Sequence, residues 1–377
     1  MKNIALLIAV IITFGFASCG EEVTEEEKRN TESKGVDLIP KNTIAVAVVS
    51  VGDIIEKANI PAIEKLDLNL VKEMLEEWDK AINALENESE LAANLITNPY
   101  DVGIAVNQDM FLYAVLENIK SNENYICISG GVDSEDRLNE ILKDLKDELP
   151  NDEYESGYSS SETYFDISNK NKYQLAISYK KYSYYNEYND QEDVYYSNAI
   201  AFAWDKDKFI FITNPDTRSE ESIENLEDEV DKLFDLKAKE KLTSVKTFND
   251  FYANKTDLCG WASASGLDND IIEDFVEEIA DESRGEIELS KDDVQECSAV
   301  LYYNFGNGEV SLKTAFNLSG GVQELLKDKA NIETTELSYE VKIKFDESGD
   351  NTIHVVLRSL LSIADELNAN RLLREFL

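Results

Sequence analysis

The stretch that decides the fold is Ser298-Ala299-Val300-Leu301-Tyr302-Tyr303-Asn304-Phe305-Gly306-Asn307-Gly308-Glu309-Val310-Ser311-Leu312-Lys313-Thr314-Ala315-Phe316. Both flanks are rich in β-branched and aromatic residues. Asn307-Gly308 supplies the pair that a type I′ turn requires, because both central residues of that turn sit at positive φ. The run reads as an antiparallel hairpin, 298–305 against 309–316. Similar signals recur outward from it. Residues 199–204 and 208–213 flank Asp205-Lys206-Asp207, 101–106 and 110–116 flank Asn107-Gln108-Asp109, and 337–345 and 352–358 flank Ser348-Gly349. Residues 43–51, 125–129 and 258–264 read as further strands.

Between these runs the apolar period lengthens to that of helices. Leu70, Val71, Met74, Leu75, Trp78, Ala81, Ile82 and Leu85 form one stripe, and a further helix is expected over 88–96. Leu138, Ile141, Leu142 and Leu145 form another, with Ser134 as its cap and Pro150 beyond its end. A long acidic helix is expected over 222–242, a further one through Ile271, Ile272, Phe275, Val276 and Ile279, and a terminal one over 360–376. The class is α+β, with antiparallel sheets backed by helices. A strand at 43–51 precedes Asp53-Ile54-Ile55-Glu56, and a strand at 258–264 precedes Asp270-Ile271-Ile272-Glu273. This echo is what two related halves, or chance, would leave. The chain divides at 37–243 and 244–377, with an insert at 151–198 that holds eleven of the 18 tyrosines.

The chain has 377 residues, with 36 Lys+Arg against 77 Asp+Glu, a net charge of −41. That balance excludes nucleic acid as a partner, since no basic face is left to displace phosphate counter-ions. It also excludes charge-driven binding to anionic lipid. Hydrophobic residues at 43% are enough for real cores rather than disorder.

Residues 1–18 read as a secretory signal: Lys2, then an apolar run from Ile4 to Phe14, shorter than the span of about 20 residues a membrane helix needs. Phe16-Ala17-Ser18-Cys19 resembles the lipobox of bacterial lipoproteins, with Phe16 where Leu is usual. The resemblance implies acylation of Cys19 and attachment to the membrane through it. Residues 19–36 read as an acidic flexible tether, and Glu21, Glu22, Glu25, Glu26 and Glu27 resemble the surface-export signal of Bacteroidetes lipoproteins. The expected location is the outer membrane, at the cell surface or on the periplasmic face.

Catalytic signals are thin. His354 is the sole imidazole and falls in an alternating strand-like run. Cys127, Cys259 and Cys297 are widely spaced, so an N/S metal site is not expected, and no cofactor is implied. The cysteines read as three buried thiols, with one bridge as the alternative. Weak calcium candidates are Asp205 and Asp207 at one turn and Asp346 and Asp350 at another, where acids also serve simply as turn formers. Tyr179, Tyr182, Tyr184, Tyr185 and Tyr188 form a candidate binding face for a glycan or a protein, weighed against tyrosine's ordinary liking for exposed β structure.

Three further groups of residues carry a family resemblance. Leu38-Ile39-Pro40-Lys41-Asn42-Thr43 leads into a strand and Asp53-Ile54-Ile55-Glu56-Lys57-Ala58. Ala199-Ile200-Ala201-Phe202-Ala203-Trp204 pairs with Phe209-Ile210-Phe211-Ile212. Leu301-Tyr302-Tyr303-Asn304-Phe305 precedes Gly308-Glu309-Val310. Over 36–377 the chain resembles a Bacteroidetes lipoprotein family built on a domain of unknown function. The resemblance implies an outer-membrane lipoprotein of α+β fold and supplies no catalytic residues. The expected function is a non-enzymatic binding or structural module of the envelope. The alternatives are a carboxylate-based enzyme acting on glycans and a spacer subunit of a larger lipoprotein complex.

Overall fold

The computed structural model describes residues 33–50, 53, 103–116, 124–148, 154–156, 159–186, 191–214, 219–267, 269–282, 289–306, 309–323 and 336–344. Their strands are β1 (Ala45–Ser50), β2 (Asp109–Leu116), β3 (Asn124–Gly131), β4 (Tyr154–Ser156), β5 (Ser159–Asn169), β6 (Gln174–Asn186), β7 (Gln191–Trp204), β8 (Lys208–Thr213), β9 (Leu258–Ser263), β10 (Ser298–Gly306), β11 (Glu309–Asn317) and β12 (Glu336–Lys344). All join one antiparallel sheet in the order β12-β11-β10-β9-β1-β2-β3-β8-β7-β6-β5-β4. The helices are α1 (Glu135–Glu148), α2 (Glu220–Phe234), α3 (Lys246–Tyr252), α4 (Asn269–Glu282) and α5 (Lys291–Gln295).

The sheet is organised about the pairing of β1 with β9. Val46 faces Trp261 and Val48 faces Cys259 across an antiparallel ladder. From that seam β1-β2-β3 runs outward on one side and β9-β10-β11 on the other. Each central strand is followed by helical residues, Asp53 after β1 and α4 after β9. The two halves thus meet edge to edge, and residues on both sides of position 244 share one core: Val230 and Leu233 pack in the same cluster as Phe248, Phe251 and Trp261.

Alternation along the strands divides the side chains between two faces. The front carries Val46, Val48, Phe111, Tyr113, Cys127, Ala201, Ile210 and Trp261, all buried. It is covered by a 3-10 segment (Lys34–Leu38), α2 and α3. The back carries Met110, Ala176, Trp204 and Phe209, covered in part by Leu138 and Ile141 of α1. Fully burying such a side chain is worth roughly 1.5–3 kcal/mol. Trp204 is also tied to α1 through its indole N–H, which donates to Asn139 at 3.0 Å.

The described residues begin at Ser33, inside the stretch read as tether, and are packed from the outset. Ser33 is buried, and its hydroxyl donates to the Asp109 carbonyl at 2.8 Å. Leu38 and Ile39 are fully buried, and the Tyr113 hydroxyl donates to the Leu38 carbonyl at 2.9 Å. Gly35 passes so close to β3 that a Cβ there would lie 2.6 Å from the Gly130 backbone. Gly35→Ala is expected to lever this segment off the sheet and cost about 2–3 kcal/mol, read as a lowered urea midpoint with unchanged m. A midpoint equal to wild type would show that the segment yields freely.

Several sequence readings stand and others shift. The hairpin 298–316 forms, with Gly306 paired to Glu309. The helix capped by Ser134 runs Glu135–Glu148, with the Arg137 N–H donating to the Ser134 hydroxyl at 3.3 Å. The expected strand at 101–106 does not form in the described residues. Gly103 takes φ 86, and Ile104 makes only a single bridge to Val132. The chain there turns rather than extends, and Asp109 opens β2 instead of closing a hairpin loop. The helix expected over 222–242 ends at Phe234. Two 3-10 turns follow, which let Leu242 enter the core while Lys241 reaches Pro40 across a β-bridge. The helices expected over 70–96 and 360–376, the strand at 352–358 and His354 lie outside the described residues.

Candidate functional site

The tyrosine-rich insert is the outer part of the sheet, β4 to β7, and the pleat splits its candidate face. Tyr179 points to the front, where it stacks on Tyr164 at 4.9 Å and meets Tyr196 at 5.9 Å. Tyr182 and Tyr184 lie an odd number of residues further on and point to the back. There they and Tyr195, the register partner of Tyr182, are 37%, 52% and 55% exposed. Tyr185 continues β6 opposite Glu192, while Tyr188 and Cys19 lie outside the described residues. The five tyrosines therefore do not form one surface.

On the front, α2 crosses the insert and leaves a cleft of about 270 Å³ between its first half and β5–β6. Tyr164, Tyr179, Ile177 and Ile223 line it, together with Asp166, Glu220, Glu224 and Glu227. The helix is fixed in place from both ends. Ser219 caps it by accepting from the Ser222 N–H at 3.2 Å. Near the other end the Tyr173 hydroxyl donates to Asp231 at 2.6 Å, and its ring stacks on Phe234 at 4.4 Å. Ile223, Leu226, Val230 and Leu233 face the core, which leaves Glu220, Glu224 and Glu227 one turn apart along the flank. The sequence held a signal for this wall: three glutamates at positions i, i+4 and i+7 beside a buried stripe. Tyr164 was missed because the cleft brings together residues from three separate elements.

The charges of the cleft differ in their partners. Asp166 accepts from Lys146 at 2.9 Å, and this lysine holds its carboxyl below the usual range. Glu227 pairs with Lys170 at 3.0 Å. A carboxylate held ionised is a poor general acid, which weakens Asp166 for glycoside hydrolysis. Tyr164 donates to Glu162 at 2.5 Å, and this bond, with some burial, pushes its hydroxyl up to about 12.

Other ionisable groups serve the fold. Burial pushes the Cys127 thiol well up, which suits an inert core residue rather than a nucleophile. Cys259 is also buried and pushed up to about 11. Cys127, Cys259 and Cys297 are all free thiols, and Cys297 is half-buried rather than buried. Asp205 spends one carboxylate oxygen on the N–H groups of Asp207 and Lys208, at 2.8 and 2.9 Å, so it is a turn former. Among the described residues no three His, Cys, Asp or Glu side chains come together as a metal site. Asp346 and Asp350 lie outside them. No described helix is long and apolar enough to cross a membrane.

These protonation shifts give a stability profile. Burial raises Cys127, Tyr113 and Tyr173 above their ordinary values, and Tyr164 is raised as well. The folded state therefore keeps protons that the unfolded chain releases from its ordinary values of 9.0 for Cys and 10.0 for Tyr. The contribution of these groups is complete below about pH 9 and falls as pH rises beyond it. Urea midpoints are expected to drop steadily above about pH 9, and the native tyrosinate absorbance curve to lag the denatured one. Coincident native and denatured titrations would contradict this.

A family model described as "Domain of unknown function (DUF4836)" matches residues 36–188 and 178–338, together most of the chain. The chain belongs to the DUF4836 family. The first matched segment holds β1 to β6 and the second β7 to β11, with the tyrosine-rich strands β6 and β7 at their junction. A comparison of this DUF4836 chain with curated proteins finds no match. Among solved structures it is similar to crystal form IV of TP0453, at 8% identity, over 88% of this chain and 97% of that one, with a TM-score of 0.35. For crystal form III of TP0453 the values are 9%, 84%, 95% and 0.32. Likeness at that level carries no argument about function.

Proposed function

We propose that this DUF4836 chain is a lipid-anchored envelope protein, acylated at Cys19, that acts as a non-enzymatic binding module with its ligand site in the α2–β5–β6 cleft. The observation that carries the binding reading is the cleft itself. Stacked Tyr164 and Tyr179, an apolar floor and a carboxylate rim open on the front face, while the buried thiols and the buried Asp109 are occupied in the core. The anchoring reading is supported by Phe16-Ala17-Ser18-Cys19 and by the position of Ser33. Residues 20–32 separate the two, a reach of at most about 50 Å at full extension. The acidic residues after Cys19 favour the outer membrane, at the cell surface.

A fatty-acid analogue is expected to label the wild-type protein in cells and to leave Cys19→Ala unlabelled and released from the membrane fraction. Absence of label on the wild type removes the anchor. Protease shaving of intact cells then assigns the side of the membrane, with full protection arguing for the periplasmic face. A spacer role in a larger assembly is the second reading. It is favoured by Leu112, Leu301 and Phe316, which stand 39%, 40% and 46% exposed on the back of β2, β10 and β11. A photo-crosslinker at position 301 that captures nothing in intact cells removes it.

A further inference from the structure

We infer that the α2–β5–β6 cleft takes an alkylammonium group: a primary amine carried on a short aliphatic chain. This rests on the reading of the protein as a binding module and names the ligand class of its site. The argument begins with size. At about 270 Å³ the cleft is below the range of pockets for drug-sized ligands, roughly 300–1,000 Å³, so its occupant is small or is one side chain of something larger.

The walls then select the chemistry. Ile177 and Ile223 form an apolar floor against which a run of methylenes loses its water. Tyr164 and Tyr179 line the cleft as a stacked aromatic pair, against which the methylenes of a ligand can also pack. Four carboxylates line the space, and none of the lining residues is basic. Lys146 and Lys170 already neutralise Asp166 and Glu227. Glu220 and Glu224 have no ion-pair partner among the described residues, and they stand one turn apart on the same flank of α2. Anions are thereby excluded. A compact metal ion is disfavoured too, because it needs six or so oxygens converging at about 2–2.6 Å. These acids instead ring a cleft and do not gather as a metal cluster. A primary ammonium brings three N–H donors that can be shared among separated carboxylates, and its aliphatic tail suits the isoleucine floor. A sugar could use the tyrosines but would gain nothing from the charge of Glu220 and Glu224. The same alkylammonium chemistry is offered by a free diamine and by a lysine side chain of a partner protein.

The test is calorimetric titration of the full chain, solubilised in detergent at about 0.15 M salt, so that loose surface attraction is screened. The probes are 1,4-diaminobutane and N-acetyl-lysine amide. Saturable binding of either is expected, weakened at least about tenfold in Glu220→Gln/Glu224→Gln. Tyr179→Leu should weaken it too. Glu277→Gln/Glu278→Gln on α4, which removes the same charge from an exposed helix away from the cleft, should leave it unchanged. Tighter binding of the diamine assigns a soluble polyamine, and tighter binding of the lysine amide assigns a protein partner. No saturable heat from either probe overturns the inference. So does equal weakening by the α4 pair, or equal displacement by magnesium, since both mark non-specific counter-ion binding. Because the replaced glutamates are exposed, circular dichroism is expected to show both double variants folded. Failure here leaves acyl labelling at Cys19 untouched, and failure of that labelling leaves the calorimetry standing.

Discussion

Asp109→Ala is expected to lower the stability of the protein by about 3 kcal/mol, read as a fall in the urea midpoint at unchanged m. The side chain is 5% exposed and yet makes three contacts with polar groups. Its Oδ1 accepts from the Ser50 hydroxyl at 2.7 Å, and its Oδ2 accepts from the Tyr252 hydroxyl at 2.6 Å and from Lys255. The carboxylate thereby ties the paired ends of β1 and β2 to the end of α3 and the turn into β9. Removing it deprives the Tyr252 hydroxyl of this acceptor and leaves the Ser50 hydroxyl only the longer contact to the Thr256 carbonyl at 3.4 Å, and poorly satisfied buried groups cost more than the bond was worth. Lys255 is 38% exposed and can turn to solvent, which keeps the loss below that of a fully buried broken pair. Asp109→Leu combined with Lys255→Met should lose less than Asp109→Ala alone, since no charge is then stranded. A loss under about 1 kcal/mol for Asp109→Ala would mean that water replaces the carboxylate.

Phe248→Ala is expected to cost more, about 3–5 kcal/mol. Phe248 is fully buried where α3 meets the β1–β9 seam. Its ring meets Trp261 edge-on at 5.5 Å, stacks on Tyr252 at 5.7 Å and contacts Phe251 at 5.8 Å. The truncation opens a void lined by three aromatic rings, which are too rigid to collapse into it, so both transfer and cavity terms are lost. Thermal unfolding read by near-UV circular dichroism should fall well below wild type with a weakened tryptophan signal. A Tm within a few degrees of wild type would show that the rings repack.

Neither variant's site could be read in the chain, although other parts of the fold could. Hairpin 298–316 was legible because everything that specifies it is local: the Asn-Gly turn, the β-branched flanks and the spacing between them. The helix after Ser134 was legible for the same reason. Asp109 was not. Its partners Tyr252 and Lys255 stand 143 and 146 residues away, so it looked like an ordinary turn acid. The premature end of α2 was hidden similarly, since what stops the helix is the place waiting for Leu242 in a core built partly from Leu38 and Ile39. The tyrosine cluster was visible as composition, but composition has no faces. Only the strand pleat shows that Tyr179 joins the acidic cleft while Tyr182 and Tyr184 look the other way. The union of all strands in one sheet was the least legible feature, because antiparallel signals specify hairpins between neighbours and say nothing of which early strand a late one will join.

That union sets the order of events when the chain is made. Among the described residues β1 is the first strand in sequence and lies in the interior of the sheet, yet one of its two neighbours, β9, is more than two hundred residues downstream. Loop closure over that distance must precede the central ladder, so contact order is high and folding is slow. Until β9 arrives, the Val46 and Val48 edge of a nascent first half stands open as a template for foreign strands. A protein built this way depends on holding its first half apart from other copies while the second half is still being delivered. The repulsion among 77 acidic side chains against 36 basic ones acts from the first residues of the folding body onward.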